Sequence, residues 1–195
     1  MAGDAWLVVG LGNPGPGYAM HRHNIGQMVL DELATRLGAR FTAHKGQAVA
    51  ASARLGAGGA RIILAKPTVF MNVSGGPVAA LRSFYDVAPQ QIIIVHDELD
   101  IPFDSVRLKD GGGHGGNNGV RSIVASLGTP DFLRVRVGIG RPPGHQDPAD
   151  FVLSAFSKAE RELLPSVISG AADAVEDIIR DGLLAAQRTH HAPRP

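Results

Sequence analysis

The sequence predicts a single α/β domain with a twisted mixed, largely parallel central sheet flanked by helices. Two short apolar runs, 6–9 and 92–95, are typical of strands buried inside such a sheet. Between them and after them, apolar residues recur at helical spacing. A chain of 195 residues that is 44% hydrophobic is long enough to bury one sheet-and-helix core without a second domain.

The first half of the chain alternates strand, helix and hairpin. Strand 6–9 ends at Gly10, and a loop rich in glycine and proline follows. Apolar residues then recur at helical spacing from Asn24, the expected N-cap, to Gly38, the expected end of the helix. Segments 48–55 and 61–66 flank a glycine-rich turn and predict a β-hairpin.

The middle of the chain predicts two further strand-to-helix corners. Ser74 is expected to cap a helix with Pro77 in its first turn, and strand 92–95 is the best candidate for a central strand. Strand 106–109 leads into a loop with six glycines in nine residues, and an apolar-periodic helix follows that loop. Residues 132–139 predict the last strand.

The C-terminal part predicts a covering segment and one long helix. Apolar residues in 147–156 could cover the rim of a site, and Ser157 to Glu160 form a capping box that opens the last helix. We expect one catalytic domain over residues 1–188 and a disordered tail over 189–195, which is polar and rich in His and Pro.

The loop after the first strand matches a dinucleotide-binding fingerprint only superficially. Residues 10–15 satisfy G-x-G-x-x-G, but that site requires a helix beginning at the second glycine. Pro14 and Pro16 lack the N–H groups that a pyrophosphate needs, and Gly15 and Gly17 break the first helical turn. The pattern therefore favours another kind of ligand at this loop.

Composition limits the environment and the partners. The absence of Cys excludes disulfides, a cysteine nucleophile and thiolate metal sites. No run approaches a membrane span and the N-terminus lacks the features of a signal peptide, so we expect a soluble, cytoplasmic protein with no membrane partner. The net charge is only +1, but segment 107–141 holds six bases against two acids, which suits phosphates.

Five segments in order carry a family resemblance: GLGNPGPGY, RHNIG, KPTVFMNVSG, VHDELD and GGGHGGNNG. With them the chain resembles the bacterial peptidyl-tRNA hydrolases from about Trp6 to about Arg188. The resemblance implies a monomeric α/β enzyme of translation and ribosome rescue that hydrolyses the ester between a peptide and the 3′ end of its tRNA. It implies no cofactor, no metal and no obligate protein partner, with the acceptor stem and 3′ end of peptidyl-tRNA as the substrate.

Within that resemblance, His23 is the expected base and Asp97 its partner. With no Cys, no G-x-S-x-G elbow and no metalloprotease motif, direct attack by water is the simplest route. Histidine accepts protons near neutrality, and a carboxylate on its other nitrogen fixes the tautomer. We expect Asn13 and Asn72 to position His23 and the ester, and Asn118 to bind the water or the peptide backbone.

Recognition of tRNA is expected to read shape, phosphates and the 3′ end rather than base sequence. Lys109 and Arg136 match the family's clamp on the 5′ phosphate, and three further arginines could extend this basic surface: Arg107, Arg121 and Arg134. The remaining residues expected to contact the substrate are Tyr18, Met71, His114 and Asn117. Met71 and its neighbour Phe70 suit core packing equally well, and Asn117 departs from the family, which usually has His at that position.

Two other hypotheses stay open at this point. A non-catalytic RNA-binding relative would keep the fold and the basic face, although the joint retention of His23, Asp97, Asn13 and Asn72 argues against it. A metal-dependent hydrolase would instead use a ligand set drawn from His21, His23, His96, Asp97 and Glu98.

Overall fold

A computed structural model describes residues 4–192 and contains one seven-stranded mixed sheet between two layers of helices. The strands are β1 (Ala5–Gly10), β2 (Thr42–His44), β3 (Ala48–Arg54), β4 (Arg61–Pro67), β5 (Ile92–Glu98), β6 (Val106–Asp110) and β7 (Leu133–Gly138). Their order across the sheet is β2-β3-β4-β1-β5-β7-β6.

Residues 4–192 form six α-helices around this sheet. They are α1 (Ile25–Leu37), α2 (Gly75–Tyr85), α3 (Asn118–Leu127), α4 (Pro148–Val152), α5 (Lys158–Asp181) and α6 (Leu183–His190). Short 3₁₀ turns, Arg22–Asn24 and Met71–Val73, precede α1 and α2. Within residues 4–192, no helix combines the length and the apolar character needed to cross a bilayer.

The centre of the sheet is parallel and its edges are antiparallel. β4, β1, β5 and β7 run in one direction, whereas β3 and β6 run against their neighbours. The predicted α/β class with a mixed sheet is thus confirmed, as is the hairpin formed by β3 and β4. Because β1, β4 and β5 are parallel, the loops that follow them meet at one edge of the sheet.

Alternating residues of the strands feed two separate cores. On one face Val8 and its neighbours pack against α1 and α5, and on the other Leu7 and Val9 pack against α2 and α3. Central strands that are buried on both faces read as continuous apolar runs, which explains why 6–9 and 92–95 were recognisable.

Several details differ from the sequence predictions. The three-residue strand β2 was not anticipated, and the long last helix is broken at Gly182, whose φ of 87° and ψ of 164° are not helical. Helix α6 continues through Thr189 and His190, which were expected to lie in a disordered tail. The rest of that expected tail from residue 193 onward lies outside the described residues.

The predicted helix caps have mixed outcomes. The capping box of Ser157 and Glu160 is confirmed at the start of α5. Asn24 and Ser74 occupy the N-cap positions of α1 and α2, but neither side chain makes a capping hydrogen bond. Both are used elsewhere: the Ser74 hydroxyl donates to the carbonyl oxygen of Met71, and the Asn24 amide binds the backbone of Asn13.

Candidate active site

Two glycines bring the start of α1 against the ends of β1 and β5. A Cβ atom on Gly10 would lie 2.3 Å from the carbonyl oxygen of Gly26, and one on Gly26 would lie 2.2 Å from that of Val95. Any side chain at either position would therefore push the helix away from the sheet. The close approach sets His23, two residues before the helix, beside the carboxyl end of β5.

His23 and Asp97 form a nearly buried pair at this edge. The Nδ1 atom of His23 lies 2.7 Å from the Oδ2 atom of Asp97, and their side chains are 14% and 3% exposed. A carboxylate can only accept, so Nδ1 carries the proton and the Nε2 atom of the neutral ring keeps its lone pair. His23 also lines a cavity of about 440 Å³ at this edge, so the ring has access to a substrate.

Asn117 supports the other oxygen of Asp97. Its Nδ2 atom donates to Oδ1 of Asp97 at 3.1 Å, while its own side-chain oxygen caps α3 by accepting from the N–H groups of Gly119 and Val120. The residue is buried although it borders the cavity. The structure therefore assigns the amide of Asn117 to Asp97, whereas the sequence suggested a contact with substrate.

His96 holds the backbone of the same aspartate. Its Nδ1 atom lies 2.7 Å from the carbonyl oxygen of Asp97, which makes Nδ1 the donor. Burial lowers the pKa of His96 to about 4, so the ring stays neutral at physiological pH. Its Nε2 atom has no hydrogen-bond partner among the described residues.

Asn13 is fixed so that its amide nitrogen remains free. Its side-chain oxygen accepts from the N–H of Met71 at 2.8 Å, and its backbone exchanges two hydrogen bonds with the side chain of Asn24. The residue lines the cavity, and the Nδ2 donor is the group left for a ligand. The sequence does not reveal the link between Asn13 and Asn24, because an Asn directly before a helix is typical of an N-cap.

The cavity between these residues has a volume of about 440 Å³. Exposed Asn72 and Asn118 line it, and neither amide is engaged in a hydrogen bond with another described residue. Tyr18 and Phe70 form its apolar rim, with ring centroids 6.0 Å apart. Met71 is buried in the core and also borders the cavity.

Helix α4 closes one side of the cavity, as the apolar segment 147–156 suggested. Arg22 ties this wall to the loop that carries His23. Its guanidinium lies 4.0 Å from the ring of Phe151 and 2.7 Å from the carboxylate of Glu160. Although burial works to raise the pKa of Glu160, the Ser157 backbone N–H and the Arg22 guanidinium hold it below its ordinary value.

A second, small cavity of about 10 Å³ lies beside the first and is basic. Lys109, Arg136 and His114 line it, so the structure brings the expected phosphate residues together but puts His114 outside the larger cavity. Burial and the neighbouring arginines lower the pKa of Lys109. Arg134 is buried and donates to the carbonyl oxygens of Gly112, Gly113 and Pro130. It therefore anchors the glycine-rich loop instead of extending a basic surface.

The ligand set considered for a metal does not assemble. Among residues 4–192, no group of three or more His, Asp and Glu side chains is arranged to hold a metal ion. The carboxylate of Asp97 is instead occupied by His23 and Asn117.

Comparison with known proteins gives consistent matches over the whole chain. A family model described as peptidyl-tRNA hydrolase matches residues 7–194. The peptidyl-tRNA hydrolase of Paenarthrobacter aurescens is 59% identical over 188 residues, which cover 96% of this chain and 97% of that protein. That of Frankia casuarinae is 61% identical over 187 residues, with 96% and 94% covered.

Solved structures agree with the sequence matches. The peptidyl-tRNA hydrolase of Acinetobacter baumannii superposes with a TM-score of 0.89 at 35% identity, over all of this chain and 98% of the other. A peptidyl-tRNA hydrolase crystallised with N-propanol gives a TM-score of 0.90 at 36% identity, covering 98% and 97% of the two chains.

Proposed function

The chain belongs to the peptidyl-tRNA hydrolase family and hydrolyses peptidyl-tRNA, and from this premise we propose that His23 activates the attacking water. The observation that carries the mechanism is the 2.7 Å contact between His23 and Asp97. It leaves Nε2 as the proton acceptor and provides a carboxylate to stabilise the imidazolium that forms. Attack by water requires no covalent intermediate.

Asn13 stabilises the oxygen of the ester carbonyl in this proposal. Its Nδ2 donor is held by the contact between its own oxygen and Met71, so the donor is in place before charge develops. Asn72 helps to position the ester, and Asn118 binds the water or the peptide backbone, because both carry free amides at the cavity wall.

Lys109 and Arg136 bind the 5′ phosphate of the tRNA in this proposal. Their side chains meet in the small basic cavity next to the catalytic one, and His114 borders the same place. Burial is the main cause that lowers the pKa of Lys109, and repulsion by Arg134 and Arg136 adds to it. An anion bound there would relieve this repulsion. Tyr18 packs on the terminal nucleotide or the ester, and Met71 forms a wall.

We further propose that the enzyme acts as a monomer in the cytoplasm, without an obligate protein partner. All side chains assigned to the reaction come from one chain, and the substrate is a product of translation.

The direct test is peptide release from an N-blocked aminoacyl-tRNA. We expect His23→Ala to lower kcat by about 10²- to 10⁴-fold, the usual contribution of a general base, while tRNA binding is retained. His145→Ala, which changes an exposed histidine outside the cavity, is the matched control and should turn over normally. Full activity of His23→Ala would refute the assignment.

A further inference from the structure

Glu98 lies between the two cavities of the active site. It is the last residue of β5 and follows Asp97, so its side chain leaves the opposite face of the strand. It lines the catalytic cavity together with His23 and also the small basic cavity together with Lys109 and Arg136. It therefore lies where the cavity that holds His23 adjoins the small cavity that holds Lys109 and Arg136.

The carboxyl group of Glu98 has no partner among residues 4–192 and is open to the cavities that it lines. The residue is 8% exposed, yet among residues 4–192 its carboxyl oxygens make no hydrogen bond and no ion pair within 4.0 Å. Both oxygens face Gly115, where a Cβ atom would lie 3.3 and 3.4 Å from them. Buried carboxylates are normally paired, and Asp97 one position earlier follows that rule.

The surroundings of Glu98 raise the pKa of its carboxyl group above the ordinary value. Burial raises the pKa of this carboxyl group, the carboxylates of Asp100 and Asp97 add to the rise, and Arg136 and Lys109 oppose it. The other titratable and charged side chains that border the small cavity are His96, His114 and Arg134. A neutral acid without hydrogen bonds is free to donate its proton to a ligand.

Hydrolysis of a ribose ester leaves a sugar oxygen that needs a proton as the bond breaks. We propose that Glu98 is the general acid that donates this proton to the departing 3′ oxygen of the tRNA. The inference rests on the function proposed above, because His23 and Asp97 act on the water while Glu98 acts on the leaving group.

The step balances in atoms and electrons. The water oxygen bonds to the ester carbon, and one water proton moves to Nε2 of His23. When the bond between the carbonyl carbon and the ribose oxygen breaks, its electron pair stays on that oxygen, which takes the proton of Glu98. The peptide leaves as an acid, and the proton on His23 returns to Glu98 through solvent.

The test compares Glu98→Gln with the parent enzyme on two substrates that differ in the leaving group. One N-blocked aminoacyl-tRNA ends in 2′-deoxyadenosine and the other in 2′-deoxy-2′-fluoroadenosine, whose fluorine makes the 3′ hydroxyl more acidic. We expect kcat on the deoxy substrate to fall by about 10²- to 10⁴-fold, as for removal of a general acid, with tRNA affinity within about twofold. The loss should be at least tenfold smaller on the fluoro substrate. The alkaline fall of the parent's pH–rate profile should disappear in the variant.

Two further variants make the result specific. Glu162→Gln makes the same change at an exposed glutamate of α5 that lines neither cavity, and it should keep kcat within about twofold. Glu98→Asp keeps an ionisable acid and should retain the alkaline fall even if its kcat is reduced.

Three outcomes would overturn the assignment. Unchanged kcat in Glu98→Gln would remove Glu98 from the chemistry. An equal loss of kcat on both substrates would mean that Glu98 only positions other groups. Tighter tRNA binding with normal kcat would mean that the charge of Glu98 only weakens the binding of phosphate in the basic cavity. Failure of the parent enzyme to release the peptide would instead refute the proposed function itself.

Discussion

At the scale of single residues, Asn117 performs two tasks with one amide. Its nitrogen donates to Asp97, and its oxygen caps α3. The first task concerns the reaction, because Asp97 must keep one oxygen directed at His23. The second concerns stability, because a lost N-cap typically costs about 1 kcal/mol.

The substitution Asn117→Ser separates the two tasks. Serine still caps a helix, but its hydroxyl is too short to replace the amide at Asp97, so a buried carboxylate oxygen loses its donor. Because the cap is kept, we expect the free energy of unfolding to fall only by the cost of the unsatisfied oxygen, about 1–3 kcal/mol, and kcat to fall about tenfold. Chemical denaturation and peptide release measure the two quantities. Normal kcat in a stable variant would show that Asp97 needs no second partner.

The residue scale also marks what could be predicted from sequence. His23 and Asp97 were recognisable because each follows a strand and their motifs resemble a family. The linked roles of Asn13, Asn24 and Asn117 were not, because an amide's partner depends on the tertiary fold. Asn24 stands at the N-cap position of α1 and is a residue type preferred there, yet its side chain binds the backbone of Asn13.

At the scale of elements, α6 closes the open edge of the sheet. β6 is an edge strand, and its Leu108 has both backbone groups bound by side chains: Gln187 donates to the carbonyl oxygen at 2.9 Å, and His191 accepts from the N–H at 2.8 Å. Exposed strand edges invite pairing with other chains, and this contact covers the middle of β6. The strand also carries Lys109.

We expect Gln187→Ala to loosen this edge. Loss of the hydrogen bond to the Leu108 carbonyl oxygen should lower the free energy of unfolding by about 1 kcal/mol. Because the same contact holds the end of α6, and with it His191, against β6, exchange of the Leu108 amide that donates to His191 should speed up by up to about tenfold. Arg188→Ala, an exposed change on the same helix, should leave both quantities unchanged. Hydrogen exchange followed by NMR measures the exchange rate of the Leu108 amide. An unaltered rate would mean that the contact with Gln187 does not stabilise this edge.

The elements that could be predicted from the sequence are those with a long apolar pattern or with burial on both faces. Long apolar periods and double-sided burial predicted α1, α3, β1 and β5. Strand β2 was not predicted because three residues are too few to show an alternating pattern. The break at Gly182 was not predicted because the helical spacing of apolar residues continues across it.

At the scale of the whole molecule, charge is separated far more than the net value of +1 suggests. The strands β6 and β7 lie at one side of the sheet and bring Lys109, Arg134 and Arg136 together. Burial first, and then the charge of neighbouring arginines, lowers the pKa of all three. The sequence predicted this basic half, and the family resemblance implied a phosphate clamp of Lys109 and Arg136. It did not predict that Arg134 anchors the glycine-rich loop, because neither the strand order nor the path of that loop can be read from one chain.

The proposed phosphate clamp predicts how tRNA binding responds to salt. A cation that neutralises a phosphate releases counterions from the RNA. The logarithm of the binding constant therefore falls linearly with the logarithm of the salt concentration, and the slope counts the neutralised phosphates. If Lys109 and Arg136 hold one phosphate, Lys109→Gln with Arg136→Gln should weaken tRNA binding and reduce the slope by about one. Arg54→Gln, which removes a charge from β3 near the other side of the sheet, should change neither. Binding titrations from low to physiological salt measure the slope, and because kcat at saturating substrate depends on His23 it should be preserved. A slope equal to that of the parent would mean that the tRNA phosphates are bound elsewhere on the basic half.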